Sequence, residues 1–234
     1  MSADNSTPQT TQAQKPQIQP KIPRTIWVLV GAAFIIALGY GLIAPVLSQF
    51  AGSFGVSMAA AGAVISIFAL ARLLGAPGAG WLVDRLGSRP IYLTGLLIVA
   101  GATFLVAFVN AYWQILALRF IAGFGSTMFT LSAQALIVRV THPSIRGRAN
   151  ALYASAFLVG NVVGPIIGAA LSFLGFRAPF VIYGLAVAAA AVAVGGLTQP
   201  RPGSEPLPAA KPKMRVRQAW HCLLYTSDAA DERS

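Results

Sequence analysis

The sequence predicts an all-α membrane protein of six transmembrane helices, and three observations carry that prediction. Of its 234 residues, 56% are hydrophobic and only 10% are charged, against roughly 25% in a soluble domain that must cover its surface. Apolar runs able to cross a hydrocarbon core of about 30 Å, which takes about 20 helical residues, recur six times between short polar connections. The 23 glycines fall mostly inside these runs, a usage suited to membrane helices, where small residues let backbones approach.

The runs lie at Ile26–Phe50, Ser57–Ala79, Ile91–Val109, Tyr112–Val138, Ala149–Leu174 and Pro179–Leu197. Any one alone would suit a buried soluble helix, but six in succession with short loops do not. Only Asn110 and Ala111 separate the third and fourth, so a tight hairpin is expected there. Residues 1–25 are polar, with no apolar signal core, and read as a disordered cytoplasmic tail. Residues 26–197 form the transmembrane domain, and 198–220 a Pro-rich basic linker whose charges favour anionic lipid. Residues 221–234 change character, carrying Asp228, Asp231 and Glu232. They resemble translated sequencing-adapter sequence and read as a non-native tail.

Cytoplasmic segments retain Lys and Arg. An amino terminus inside places Lys15, Lys21, Arg24, Arg85, Arg89, Arg139, Arg146, Arg148 and the basic linker on one side, with Arg177 opposite. Both ends are therefore expected in the cytoplasm, at a cytoplasmic or plasma membrane. The net charge of +11 does not point to nucleic acid, because the basic residues sit in these short segments. The single cysteine, Cys222, has no partner for a disulfide within the chain.

The first connection at this face, after the second run, reads Gly80-Trp81-Leu82-Val83-Asp84-Arg85-Leu86-Gly87-Ser88-Arg89-Pro90. Gly80 permits close helix approach and Gly87 a sharp turn. Asp84 is the only carboxylate between residues 5 and 204, which invites charge-assisted pairing with Arg85, Arg89, Arg139 or a helix amino terminus. The stretch resembles the loop signature between spans two and three of the major facilitator superfamily, with Ser88 where that family usually has a basic residue. The resemblance implies the amino-terminal half of a twelve-helix transporter fold, with six helices as two inverted three-helix repeats. It also implies that Gly80, Asp84, Arg85, Gly87 and Arg89 form a gating loop, bracing the outward-open state against a helix of the other half.

In the fourth run, Arg119, Gly123, Thr127, Thr130 and Gln134 fall within a sector of about 80° at about 100° per residue. An intramembrane charge costs at least about 2.5 kcal/mol unless it meets water or a partner, so this stripe is expected to face a cavity or serve coupling. Snorkelling by Arg119 with interhelical hydrogen bonds from the others is the plainer alternative. Leu118–Gly123 resembles the same family's fourth-helix Arg-x-x-x-Gly element. In the fifth run, Gly160, Gly164 and Gly168 share a face for tight packing, and Pro165 removes a backbone donor and bends the helix. That stretch, and Leu38–Val46 in the first run, resemble signatures of the superfamily's drug–proton antiporters. Arg72-Leu73-Leu74-Gly75-Ala76-Pro77 echoes Asn161-Val162-Val163-Gly164-Pro165, as spans two and five of an inverted repeat would.

No run contains Asp or Glu, the usual proton carriers in membrane transporters. The sequence offers no metal-ligand cluster, nucleotide-binding loop or Ser/His or Cys/His pair, so neither an enzyme nor a metal or other cofactor is expected. The expected function is secondary active transport of a small molecule by alternating access, as proton-coupled efflux. Its partners would be the small-molecule substrate, the lipid bilayer and the missing carboxy-terminal half, with no nucleic acid. A facilitator or symporter for a small metabolite, and a non-transporting membrane scaffold, are the alternatives.

Overall fold

A computed structural model describes residues 22–197, which hold six long helices. They are α1 (Arg24–Gly52), α2 (Met58–Leu86), α3 (Ser88–Val106), α4 (Tyr112–Val140), α5 (Arg146–Leu171) and α6 (Ala178–Leu197). Short 3-10 turns at Pro143–Ile145 and Ser172–Leu174 flank α5. At 1.5 Å per residue, the 29 residues of α1, α2 and α4 span about 43 Å. The 19 residues of α3 span about 30 Å, and α6 is similar. All six are long and apolar enough to cross a membrane, and the chain is an integral membrane protein. The expected terminal tails and linker lie almost wholly outside the described residues.

Packing follows the small residues. Helix α1 packs on α5 and α6, α2 on α4, and α3 on α4 and α6. Exchanging α1 with α4, α2 with α5 and α3 with α6 maps this pattern onto itself, as two inverted three-helix repeats require. Where α1 crosses α5, a Cβ on Gly160 would lie 2.6 Å from the Phe34 carbonyl oxygen, and one on Gly168 would lie 2.9 Å from that of Leu42. The repeat-related crossing of α4 on α2 places the same hypothetical atom of Gly123 2.7 Å from the Phe68 oxygen. Ile36, Tyr92, Leu96, Phe129 and Phe180 fill the interior. Leu73, Leu97, Ile166 and Val192 stay exposed, because a lipid-facing surface gains nothing from polarity. Trp27, Trp81 and Trp113 stand exposed near helix ends, where aromatic belts meet the headgroups.

Side chains and polar contacts set the helix ends. Ser57 caps α2 by accepting from Ala60 N at 3.2 Å. The Gln114 side-chain oxygen accepts from Asn110 N at 2.8 Å and Ala111 N at 3.2 Å, closing the start of α4. Helix ends differ from the sequence reading by up to seven residues, and two of the differences bear on the connections. Helix α3 ends at Val106, so residues 107–111 make the connection expected of Asn110 and Ala111 alone. Helix α2 runs on to Leu86, so most of the expected gating loop is helix. The turn itself is Gly87, at φ +89°, a left-handed conformation that glycine adopts without a Cβ penalty.

Candidate functional site

The central feature is an open cleft of about 510 Å³ whose walls come from α1, α2, α4 and α5. Each helix contributes polar side chains to it. Tyr40 comes from α1 and Arg72 from α2; Ser126, Thr130 and Gln134 from α4; Tyr153 and Asn161 from α5. Spacing explains this. Ser126, Thr130 and Gln134 are four residues apart along α4, as are Tyr153, Phe157 and Asn161 along α5, so each set forms one row on one helix face. Arg72 stands at the midpoint of α2, and Asn161 of α5 holds the matching place in the sequence echo, so one cleft joins the two echoing segments.

The polar stripe of α4 divides by depth. Thr130 and Gln134 reach the cleft, whereas Arg119, Gly123 and Thr127 are buried against α2 and its neighbours. The Thr127 hydroxyl donates to the Arg72 carbonyl oxygen at 3.1 Å. Arg119 is 6% exposed, with its guanidinium carbon 6.0 Å from the Phe68 ring centre. Its Nε and Nη2 have no hydrogen-bond partner among the described residues. It borders a separate small pocket of about 80 Å³ with Ile43, Leu47, Val64, Ile65 and Phe68. Tyr40 belongs to both cavities. Its hydroxyl is 2.7 Å from Ser126 Oγ, and its ring contacts Phe68 and Phe157 at centroid distances of 5.7 and 6.3 Å.

At the α2–α3 turn the charged groups take separate partners. Arg85 lies 4.3 Å from the Trp81 ring centre. Arg89 Nη2 donates to the Gly195 carbonyl oxygen at 2.6 Å, tying α3 to the end of α6. Asp84 is exposed, and among the described residues it forms no ion pair with Arg85, Arg89 or Arg139. A Cβ on Gly80 would meet nothing within 4 Å, so its expected close approach is not made to the described part of this chain. Gly160, Gly164 and Gly168 of α5 all pack against the α1 main chain, and Pro165 packs beside Gly41.

Sequence reasoning gave no site role to Tyr40, Arg72, Ser126, Tyr153, Phe157 or Asn161, of which Arg72 and Asn161 stood out only in the echo between spans two and five. Ser126 carried a usable signal, since it extends the Thr130–Gln134 row by one turn. Tyr153 and Phe157 read as ordinary apolar residues of a span until Asn161 is seen to continue their row. No cluster of three His, Cys, Asp or Glu side chains able to hold a metal occurs among the described residues.

Six membrane-crossing helices paired in this order, around a polar cleft at mid-depth, define the half-bundle architecture of a transporter fold. The chain belongs to the Major Facilitator Superfamily, whose sequence pattern matches residues 29–227. It is 34% identical over 194 residues to the multidrug resistance protein MdtG of Enterobacter lignolyticus, covering 81% of this chain and 46% of that protein. The MdtG of Escherichia fergusonii is 34% identical over 167 residues, covering 69% of this chain and 41% of that protein. The chain thus spans about half the length of these curated relatives. Among solved structures, the human organic anion transporter MFSD10 superposes with a TM-score of 0.66 at 23% identity, over 75% of this chain and 47% of that one. A peptide transporter, POT, in complex with sulfate gives 0.70 at 14% identity, over 90% and 45%. These last two likenesses concern the fold.

Proposed function

We propose that the chain forms one half of a secondary transporter that exports small molecules by alternating access at the expense of a proton gradient. The observation that carries this reading is the cleft. In bilayers, polar and charged side chains collect where substrates or ions pass, and here four helices direct seven such residues to one space. The name shared by the curated relatives, multidrug resistance protein, favours drug-like substrates and outward direction over uptake of a metabolite. Both chain ends lie in the cytoplasm in this reading, as the basic residues dictate. Asp84, left without an ion-pair partner among the described residues, is then available to the other half, with Gly80 leaving space for a helix beside it. The described spans hold no carboxylate except Asp84 at the end of α2, so the proton carrier belongs to the rest of the transporter.

Dye efflux driven by an imposed proton gradient, measured in vesicles carrying the full-length gene product, tests the proposal. Efflux that is abolished by a protonophore is expected. The 234-residue chain alone in liposomes is expected to move no dye, because half of the cavity wall would be missing. Robust uptake by the chain alone would overturn the half-transporter reading.

A further inference from the structure

We propose that the cleft and the pocket beside it form a two-station site for an aromatic organic anion, met first by Arg72 and then by Arg119 behind Tyr40. The inference deepens the transporter reading and rests on it for its role in transport, although ligand binding itself can be measured without transport.

Charge points to an anion. The cleft is lined by one guanidinium and no carboxylate. Asp84, twelve residues from Arg72 on α2, is displaced along the helix by about 18 Å. A cation entering the cleft would find repulsion from Arg72 and no counter-charge. An anion finds a charged, geometrically forked donor set in a medium that strengthens such contacts.

The second station follows from Arg119. A buried ion whose donors lack acceptors is costly, and the Phe68 ring does not accept from Nε or Nη2. An acceptor completes this site. The adjoining pocket, at about 80 Å³, has room for a carboxylate or sulfonate group but not for a whole drug-sized molecule. The cleft, at about 510 Å³, falls in the range of about 300–1,000 Å³ that holds small ligands. Arg119 lies seven residues into α4 and Arg72 fourteen into α2, and both helices start at the same end, so the two stations are staggered by about 10 Å.

Tyr40 divides the two spaces and is flanked by Phe68 and Phe157. These rings offer aromatic faces to the ligand body, while the Tyr40–Ser126 contact holds the divider in place. Release of that contact lets the anionic group pass from the open guanidinium to the buried one.

The full chain in nanodiscs of zwitterionic lipid tests this with three probes of one shape: 2-naphthoate, 2-naphthylmethylammonium and neutral 2-naphthylmethanol. Equilibrium dialysis is expected to show naphthoate binding at least tenfold tighter than the alcohol, and the ammonium weakest. Arg72→Gln should lower naphthoate affinity about tenfold and leave the alcohol unchanged, while Arg72→Lys, checked by circular dichroism for intact helices, should retain most of it. Arg119→Gln should lower naphthoate affinity beside Tyr40 by about twofold, and by at least fivefold in a Tyr40→Ala background, where cleft and pocket join. Equal binding of the three probes overturns the anion site. Equal effects of Arg119→Gln in both backgrounds overturn the two stations. Dye efflux by the full-length protein with no anion preference in the chain would sink this inference alone, and anion binding without efflux would sink only the transporter reading.

Discussion

Gly164→Ala offers the sharpest test of how this bundle is held together. A Cβ at Gly164 would collide with the Leu38 carbonyl oxygen and lie 2.8 Å from Gly41 Cα and 2.9 Å from Leu42 N. All three are main-chain atoms of α1, so no side chain can rotate away. Carbon atoms sit comfortably at about 3.5–4.0 Å, so α1 must lift from α5 by about 0.5–1 Å. A gap of that size forfeits a quarter to a half of the local dispersion attraction, and the rigid helices extend the loss to Gly160 and Gly168. Overpacking of this kind costs about 1–3 kcal/mol, partly offset by the roughly 0.8–1 kcal/mol by which Ala favours a helix over Gly. Gly101→Ala in α3 is the control, because a Cβ there meets nothing within 4 Å and only the helix gain applies. Gly164→Ala should therefore be less stable than Gly101→Ala by about 1–3 kcal/mol. Reversible unfolding in mixed micelles, followed by circular dichroism during titration with dodecyl sulfate, measures both. Equal stability of the two variants would refute the close-approach reasoning.

Three further outcomes follow from the hydrogen-bond and charge pattern. Tyr40→Phe keeps the ring contacts but loses the 2.7 Å contact to Ser126, and should destabilise the chain by about 0.5–1.5 kcal/mol in the same titration; an unchanged midpoint means that contact contributes nothing. Arg89→Gln removes the charged donor on Gly195 O, a loss of about 1.5–3 kcal/mol, so amide exchange in the last turn of α6 should accelerate at least tenfold by mass spectrometry, and unaltered protection counts against this clamp. Asp84→Asn should alter the stability of the isolated chain by less than about 0.5 kcal/mol, as surface changes away from specific partners do, yet abolish efflux by the full-length protein. A large stability loss in the isolated chain would reveal a partner within it.

The fold class was legible because membrane insertion writes itself into composition. Each span must satisfy its own backbone hydrogen bonds, so the six runs stand out one by one, without any tertiary contact. Helix ends were less legible. Residues Gly80–Leu86 carry enough charge to read as loop, but a helix can continue past the hydrocarbon core at no cost to its backbone bonds, and only Gly87 with its positive φ stops it. The glycine row of α5 could be read as a packing face from its spacing, but its partner could not, since α1 lies more than a hundred residues away in sequence.

The α4 stripe separates most clearly what each level decides. Periodicity places Arg119, Gly123, Thr127, Thr130 and Gln134 in one sector, because angular position depends only on residue spacing. It carries no information on how far a neighbouring helix covers that sector. Helix α2 lies over the part of α4 that holds Arg119, Gly123 and Thr127, and from Thr130 onward the stripe is left open to the cleft. The sequence by itself determined six spans and the family they belong to. Which polar residues meet each other in the cleft, and which guanidinium is sealed behind Tyr40, was decided by the crossing of helices, a long-range geometry that no local pattern encodes.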